Sequence, residues 1–151
     1  MTCLHCDETV VQVLKEPDKS AQSQSYMWVQ SGGPPDRSVV LFDYDPSRSG
    51  RVATRLLDGF RGYLMSDGYE GYNAAATSPG IVHLACWAHA RRRFIEAQRV
   101  QAKGKTGKAD VGVNYIARLY AIEKTLVGLP PEERTAIRQE KSIVVLDELR
   151  V

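Results

Sequence analysis

No apolar run in this chain approaches the roughly 20 residues that a membrane-spanning helix needs. The opening residues, Met1-Thr2-Cys3-Leu4-His5-Cys6, lack the basic start and apolar stretch of a secretory signal. A cytoplasmic protein is expected, with no membrane partner. Cysteine is scarce. Cys3, Cys6 and Cys86 are an odd set of three, which argues against a disulfide framework. There is no internal repeat. Net charge is low as well, only +2 over 151 residues. With 43% hydrophobic and 25% charged residues, the composition is that of an ordinary folded domain.

The small net charge hides an uneven distribution. Between Arg91 and Lys108 lie Arg91, Arg92, Arg93, Arg99, Lys103, Lys105 and Lys108 against the single acid Glu96, so this stretch carries +6 and the rest −4. Such a stretch reads as a solvated helix face and loop, or as a surface for a nucleic-acid backbone. Arg91, Arg92, Arg93, Lys103 and Lys105 are the candidate DNA-binding residues.

Turn residues divide the chain clearly. Cys3–Leu14, Tyr26–Gln30 and Ser38–Tyr44 read as three strands, separated by Pro- and Ser-rich or Gly-Gly-Pro-Pro breaks. The connections leave no room for helices, which predicts an antiparallel meander. Asp45-Pro46-Ser47-Arg48-Ser49-Gly50 opens a helix with Val52, Leu56 and Phe60 at helical spacing. Gly62–Ser66 is a fourth strand, 69–76 a short helix, and Ile81–Ala85 a fifth strand. A long helix is expected from Cys86, with Cys86, Ala90, Phe94 and Ala97 on one face. After a polar linker over 101–110, Val113, Ile116, Tyr120 and Val127 mark a third helix. Pro130-Pro131-Glu132-Glu133 starts a fourth that runs to the end. The order β-β-β-α-β-(α)-β-α predicts a mixed five-stranded α/β sheet with flanking helices, followed by a helical segment.

Two aspartates stand out. Asp7, in His5-Cys6-Asp7-Glu8-Thr9, and Asp67, in Ser66-Asp67-Gly68-Tyr69, each sit at or near the end of an apolar strand. Taken singly, Asp7 reads as a surface acid and Asp67 as a turn former ahead of Gly68. Taken together, two strand-borne carboxylates suit a hard divalent cation. A competing zinc set, Cys3, Cys6, Cys86 and His89, has plausible donors. However, Cys3 and Cys6 lie three apart on a strand and point to opposite faces.

Four stretches in order carry a resemblance: His5-Cys6-Asp7-Glu8-Thr9 with Val11-Gln12-Val13-Leu14; Val40-Leu41-Phe42-Asp43-Tyr44-Asp45-Pro46-Ser47-Arg48-Ser49-Gly50; Asp67-Gly68-Tyr69-Glu70-Gly71-Tyr72; and Cys86-Trp87-Ala88-His89-Ala90-Arg91-Arg92-Arg93-Phe94. Together they make the chain similar to the catalytic core of the insertion-sequence sixty-six family of DDE transposases. The resemblance implies a ribonuclease-H-like fold in which the first and fourth strands are neighbours. It implies that Asp7 and Asp67 are catalytic and metal-ligating, the first two of three acids. Asp7 would bridge two Mg²⁺ or Mn²⁺ ions about 3.5–4 Å apart and Asp67 would hold one. Cys86 and His89 are candidate accessory residues.

The implied partners are DNA (element ends and target), further copies of the full-length protein, and accessory proteins of the same element. The third acid is expected on a later helix, in an Asn- and Arg-containing motif that is not found before Val151. Glu140, Asp147 and Glu148 lack those surroundings. Cys6 stands where Ala is usual, and Val10 where Pro is usual. The expected organisation is a partial core over 1–100 and a helical insertion over 101–151, truncated at both ends and incomplete at the C-terminus. The expected activity is metal-dependent DNA cleavage and strand transfer as part of such an enzyme. The alternative is an inactive remnant that binds DNA or a partner transposase.

Overall fold

The computed structural model describes residues 2–34, 36–101 and 106–150. They fall into two compact units, Met1–Cys86 and Trp87–Val151.

In the first unit, strands β1 (Cys3–Gln12), β2 (Gln24–Gly32) and β3 (Val39–Asp45) form the expected antiparallel meander. β1 ends earlier than its Thr- and Val-rich run suggests, because its pairing with β2 closes at Gln12 opposite Gln24. Helix α1 (Gly50–Leu56) follows. Its start is set by Ser49, whose hydroxyl accepts the Arg51 N–H. β4 (Gly62–Ser66), a 3₁₀ turn (Glu70–Tyr72), helix α2 (Asn73–Ala76) and β5 (Ile81–Ala85) complete the unit. The strand order is β3-β2-β1-β4-β5, with β1, β4 and β5 mutually parallel. This mixed order, with helices flanking it, is the ribonuclease-H-like arrangement.

The core lies on one face of the sheet. Strand alternation turns Cys6, Trp28 and Leu64 toward Val52, Ala53 and Leu57 of α1 and toward Tyr72 and Ala75. The β1–β4 pairing that matters for the site depends on Gly62. Its φ is +147°, and a Cβ there would lie 2.3 Å from the Thr2 carbonyl oxygen, so only glycine lets β4 come in beside β1. The Tyr63 N–H donates to that same Thr2 oxygen at 2.9 Å.

In the second unit, α3 (Trp87–Arg99) packs on α4 (Lys108–Thr125). The Asp110 carboxylate accepts the Gly107 N–H and amide protons of Gln98 and Gln101, which anchors the start of α4. The buried stripe of α4 is Gly112, Ile116 and Leu119, one position off the predicted one. Tyr120 is exposed instead, and Val127 lies beyond the helix end and is exposed. The predicted single last helix is three pieces: α5 (Pro131–Ile137), a π-helical turn (Arg138–Ser142) and α6 (Ile143–Leu149). Two tethers to α4 flank the change of pitch: Arg138 donates two bonds to Glu123, at 2.7 and 2.6 Å, and Arg118 one to Glu148 at 2.6 Å. Among the described residues, no helix is long and apolar enough to cross a membrane.

Candidate active site

The register of the parallel pair brings the two aspartate-bearing segments side by side. His5 of β1 pairs with Met65 of β4. Two residues further on stand Asp7, within β1, and Asp67, just past the end of β4. Alternation puts Asp7 on the sheet face opposite the α1 core, whereas Asp67, just past β4, lies near enough to Arg48 and Tyr72 for its charge to act on both. Asp7 is exposed and Asp67 half-buried. Each carboxylate accepts a backbone N–H through Oδ1: Asp7 from Glu8 at 2.9 Å, and Asp67 from Tyr69 at 2.8 Å.

Glu8 faces the other way. Its side chain is only 1% exposed and lies against Arg48 and Tyr72. Arg48 donates from Nε and Nη2 to Glu8 Oε1 at 2.8 and 2.6 Å, and the Tyr72 hydroxyl donates to Oε2 at 2.9 Å. These bonds to Glu8 hold the Arg48 guanidinium above its ordinary value. Burial, and then the Glu8 charge, keep the Tyr72 phenol well above its own. Arg48 also lies 4.0 Å from the Tyr69 ring centre, a cation–π contact. Tyr69 in turn donates its hydroxyl to the Arg48 carbonyl at 2.6 Å. Gly71 has no room for a side chain, since a Cβ would meet the Tyr69 ring at 2.2 Å.

The sequence analysis assigns no site role to Tyr69, Tyr72, Glu8 or Arg48. All four nevertheless lie inside the motif stretches already singled out, and a charged residue in such a stretch was the available signal.

The other candidates are placed as follows. Cys86 precedes α3 rather than starting it, and its N–H donates to the Ser66 carbonyl at 3.1 Å, at the end of β4. His89 lies in α3, in the second unit. Arg91, Arg92 and Arg99 share a groove along α3 with Ala88, Ile95 and Glu96, whereas Arg93 is exposed and pairs with Glu96 at 3.6 Å. Lys103 and Lys105 lie outside the described residues. All three cysteines are free thiols. Cys6 is buried in the α1 core, so Cys3 and Cys6 do not share a face.

Asp7 and Asp67 offer charged oxygen donors, which fit Mg²⁺ or Mn²⁺ in kind. Among the described residues, no group of three or more His, Cys, Asp or Glu side chains gathers into a metal site. Glu8, turned toward Arg48 and Tyr72, does not add a third acid to the pair.

A mixed 3-2-1-4-5 sheet with helices packed on it defines a ribonuclease-H-like α/β unit. Comparison with known proteins names the family. The model for the transposase IS66 family matches residues 1–151, and the chain belongs to that family. It is similar to the uncharacterized protein y4hP of Sinorhizobium fredii (strain NBRC 101917 / NGR234), at 30% identity over 97% of this chain and 29% of that protein. It is also similar to the uncharacterized protein y4jD of the same strain, at 32% identity over 95% and 30%. The chain thus spans under a third of the length of these relatives. A chain in the cryo-EM structure of the simian T-cell lymphotropic virus intasome in complex with PP2A regulatory subunit B56 gamma is similar at a TM-score of 0.44 and 13% identity, over 90% of this chain and 46% of that one. That likeness is slight, and the fold rests on the strand order itself.

Proposed function

We propose that this chain supplies two of the acids of a DDE transposase centre, Asp7 and Asp67, which hold Mg²⁺ or Mn²⁺ for DNA cleavage and strand transfer. The observation that supports the reading is the β1–β4 register, which brings the segments carrying the two aspartates side by side. A bound divalent ion would supply Lewis acidity and an activated oxygen nucleophile. Asp7 and Asp67 would act as its oxygen ligands, and the backbone N–H groups of Glu8 and Tyr69 would orient them. Arg91, Arg92 and Arg99, along one groove of α3, would contact DNA phosphates, with Lys103 and Lys105 extending the basic stretch. Such contacts weaken steeply with salt. Cys86 and His89 would be accessory to the centre. Multimers and accessory proteins of the element belong to the whole transposase.

A second reading, DNA or partner binding without catalysis, is favoured by one observation: no third carboxylate joins the pair among the described residues. The two readings are separated by incubating the purified chain with a labelled DNA duplex in Mg²⁺ or Mn²⁺. Weak metal-dependent nicking that disappears in both Asp7→Asn and Asp67→Asn supports the incomplete catalytic centre. Salt-sensitive binding without nicking supports the second reading. Nicking indifferent to both aspartates contradicts the assignment. Efficient joining of ends by this chain alone contradicts the incompleteness of the pair.

A further inference from the structure

The β1–β4 ladder stops at His5 and Met65, two residues short of the aspartates. Something other than strand pairing must therefore fix Asp7 relative to Asp67. We propose that Glu8, Arg48, Tyr69 and Tyr72 form a clamp that sets the spacing of Asp7 and Asp67 for metal. This rests on the metal reading of the two aspartates.

The connection can be followed atom by atom. Asp7 Oδ1 is held by the Glu8 N–H, and Asp67 Oδ1 by the Tyr69 N–H. The residues that own those two N–H groups are joined through their side chains. Arg48 bonds twice to Glu8 and stacks on Tyr69. Tyr72 bonds to Glu8 and meets the Tyr69 ring edge-on at 6.2 Å. Tyr72 is itself fixed edge-on against the buried Trp28 at 5.9 Å. A closed set of contacts therefore runs from one carboxylate to the other. Its centre, Glu8 and Tyr72, is buried, so it yields little to thermal motion. Arg48 suits the task better than Lys because a flat guanidinium can bond a carboxylate twice and stack on a ring at the same time. With two bonds to Glu8, Arg48 is a positioning residue.

Residues that orient metal ligands typically affect affinity by roughly 10- to 100-fold. The experiment is Mn²⁺ titration of the full chain, followed by electron paramagnetic resonance, with melting recorded in parallel. Arg48→Lys keeps a cation and Tyr72→Phe keeps the ring. Each is expected to remain folded and to lose about tenfold or more in Mn²⁺ affinity. Val52→Ala, in the core but outside the clamp, is expected to melt earlier and bind Mn²⁺ as the wild type does. If Arg48→Lys fails to fold, Tyr72→Phe decides alone.

Wild-type affinity in the folded clamp variants, with binding lost in Asp7→Asn, overturns the clamp and leaves the metal reading intact. An equal loss of affinity in Val52→Ala overturns it too, by showing that stability alone governs binding. Absence of saturable Mn²⁺ binding, or binding unaffected by Asp7→Asn, overturns the metal reading and the clamp with it.

Discussion

Replacing Glu8 with Gln tests the buried ion pair directly. The amide keeps the shape of the side chain, so little packing is lost, but its single oxygen can accept from Arg48 or from Tyr72 and not from both. The charge is lost as well. The two bonds from Arg48, at 2.8 and 2.6 Å, lose their carboxylate acceptor, at a side chain only 1% exposed. Removing one partner of a fully buried pair costs about 3–5 kcal/mol. Arg48 is 43% exposed and regains water when its partner is neutralised, which lowers the cost. A hydrogen bond to a charged group is worth about 1.5–3 kcal/mol, against about 1 for a neutral one. The expected loss is therefore about 2 kcal/mol. Urea unfolding followed by fluorescence of Trp28, which packs edge-on against Tyr72, reports it as a lower midpoint at unchanged slope. Combining Glu8→Gln with Arg48→Met should cost less than the two single changes summed, because no unpaired charge is then left. A loss below about 0.5 kcal/mol, or strictly additive effects, would refute the buried pair.

Two predictions follow from the ionisable groups. The hydroxyls of Ser25 and then Tyr44, donating to Glu16, hold its carboxyl below the usual carboxylate range. The stabilisation this gives is fully present above the unfolded-state value of about 4.3 and is lost as pH falls through the depressed folded-state value. Glu16→Gln should therefore flatten the acid limb of the stability curve, measured as urea midpoints from pH 6 down to 3; an acid limb as steep as the wild type's would contradict this. Burial pushes the Cys6 thiol up to about 11, the Glu8 charge adding to it and the Gln30 contact opposing it. In the native protein at pH 8, alkylation of Cys6 followed by mass spectrometry should run on the order of a hundredfold slower than in urea. Equal rates would mean that Cys6 does not sit in the α1 core.

The parts legible in the sequence were those set by short-range signals. β4 and β5 fall on the predicted residues because Gly62 and Gly68 bracket the first short apolar run and Pro79-Gly80 opens the second. Ser49 marks the start of α1 for the same local reason. Asp7 and Asp67 were singled out by motif, and the parallel β1–β4 register then brings the segments that carry them side by side. What was not legible depends on distant partners. Arg48 and Glu8 are 40 residues apart, and Tyr72 and Glu8 are 64 apart, so nothing in the spacing announces their contact. The π turn at Arg138–Ser142 sits between two tethers to α4, and local propensity does not encode it. The inward stripe of α4 was missed by one position because Val113 and Ile116 fit either face until the partner helix is known.

The pairing of Asp7 with Asp67 as a joint metal site is tested most directly by calorimetric titration of the chain with Mn²⁺, beside Asp7→Asn, Asp67→Asn and the control Asp58→Asn, at the far end of the sheet. Saturable binding that is lost equally in Asp7→Asn and Asp67→Asn, and retained in Asp58→Asn, is the expected result. Binding that survives either of the first two substitutions, or that all three weaken alike, would contradict a shared site.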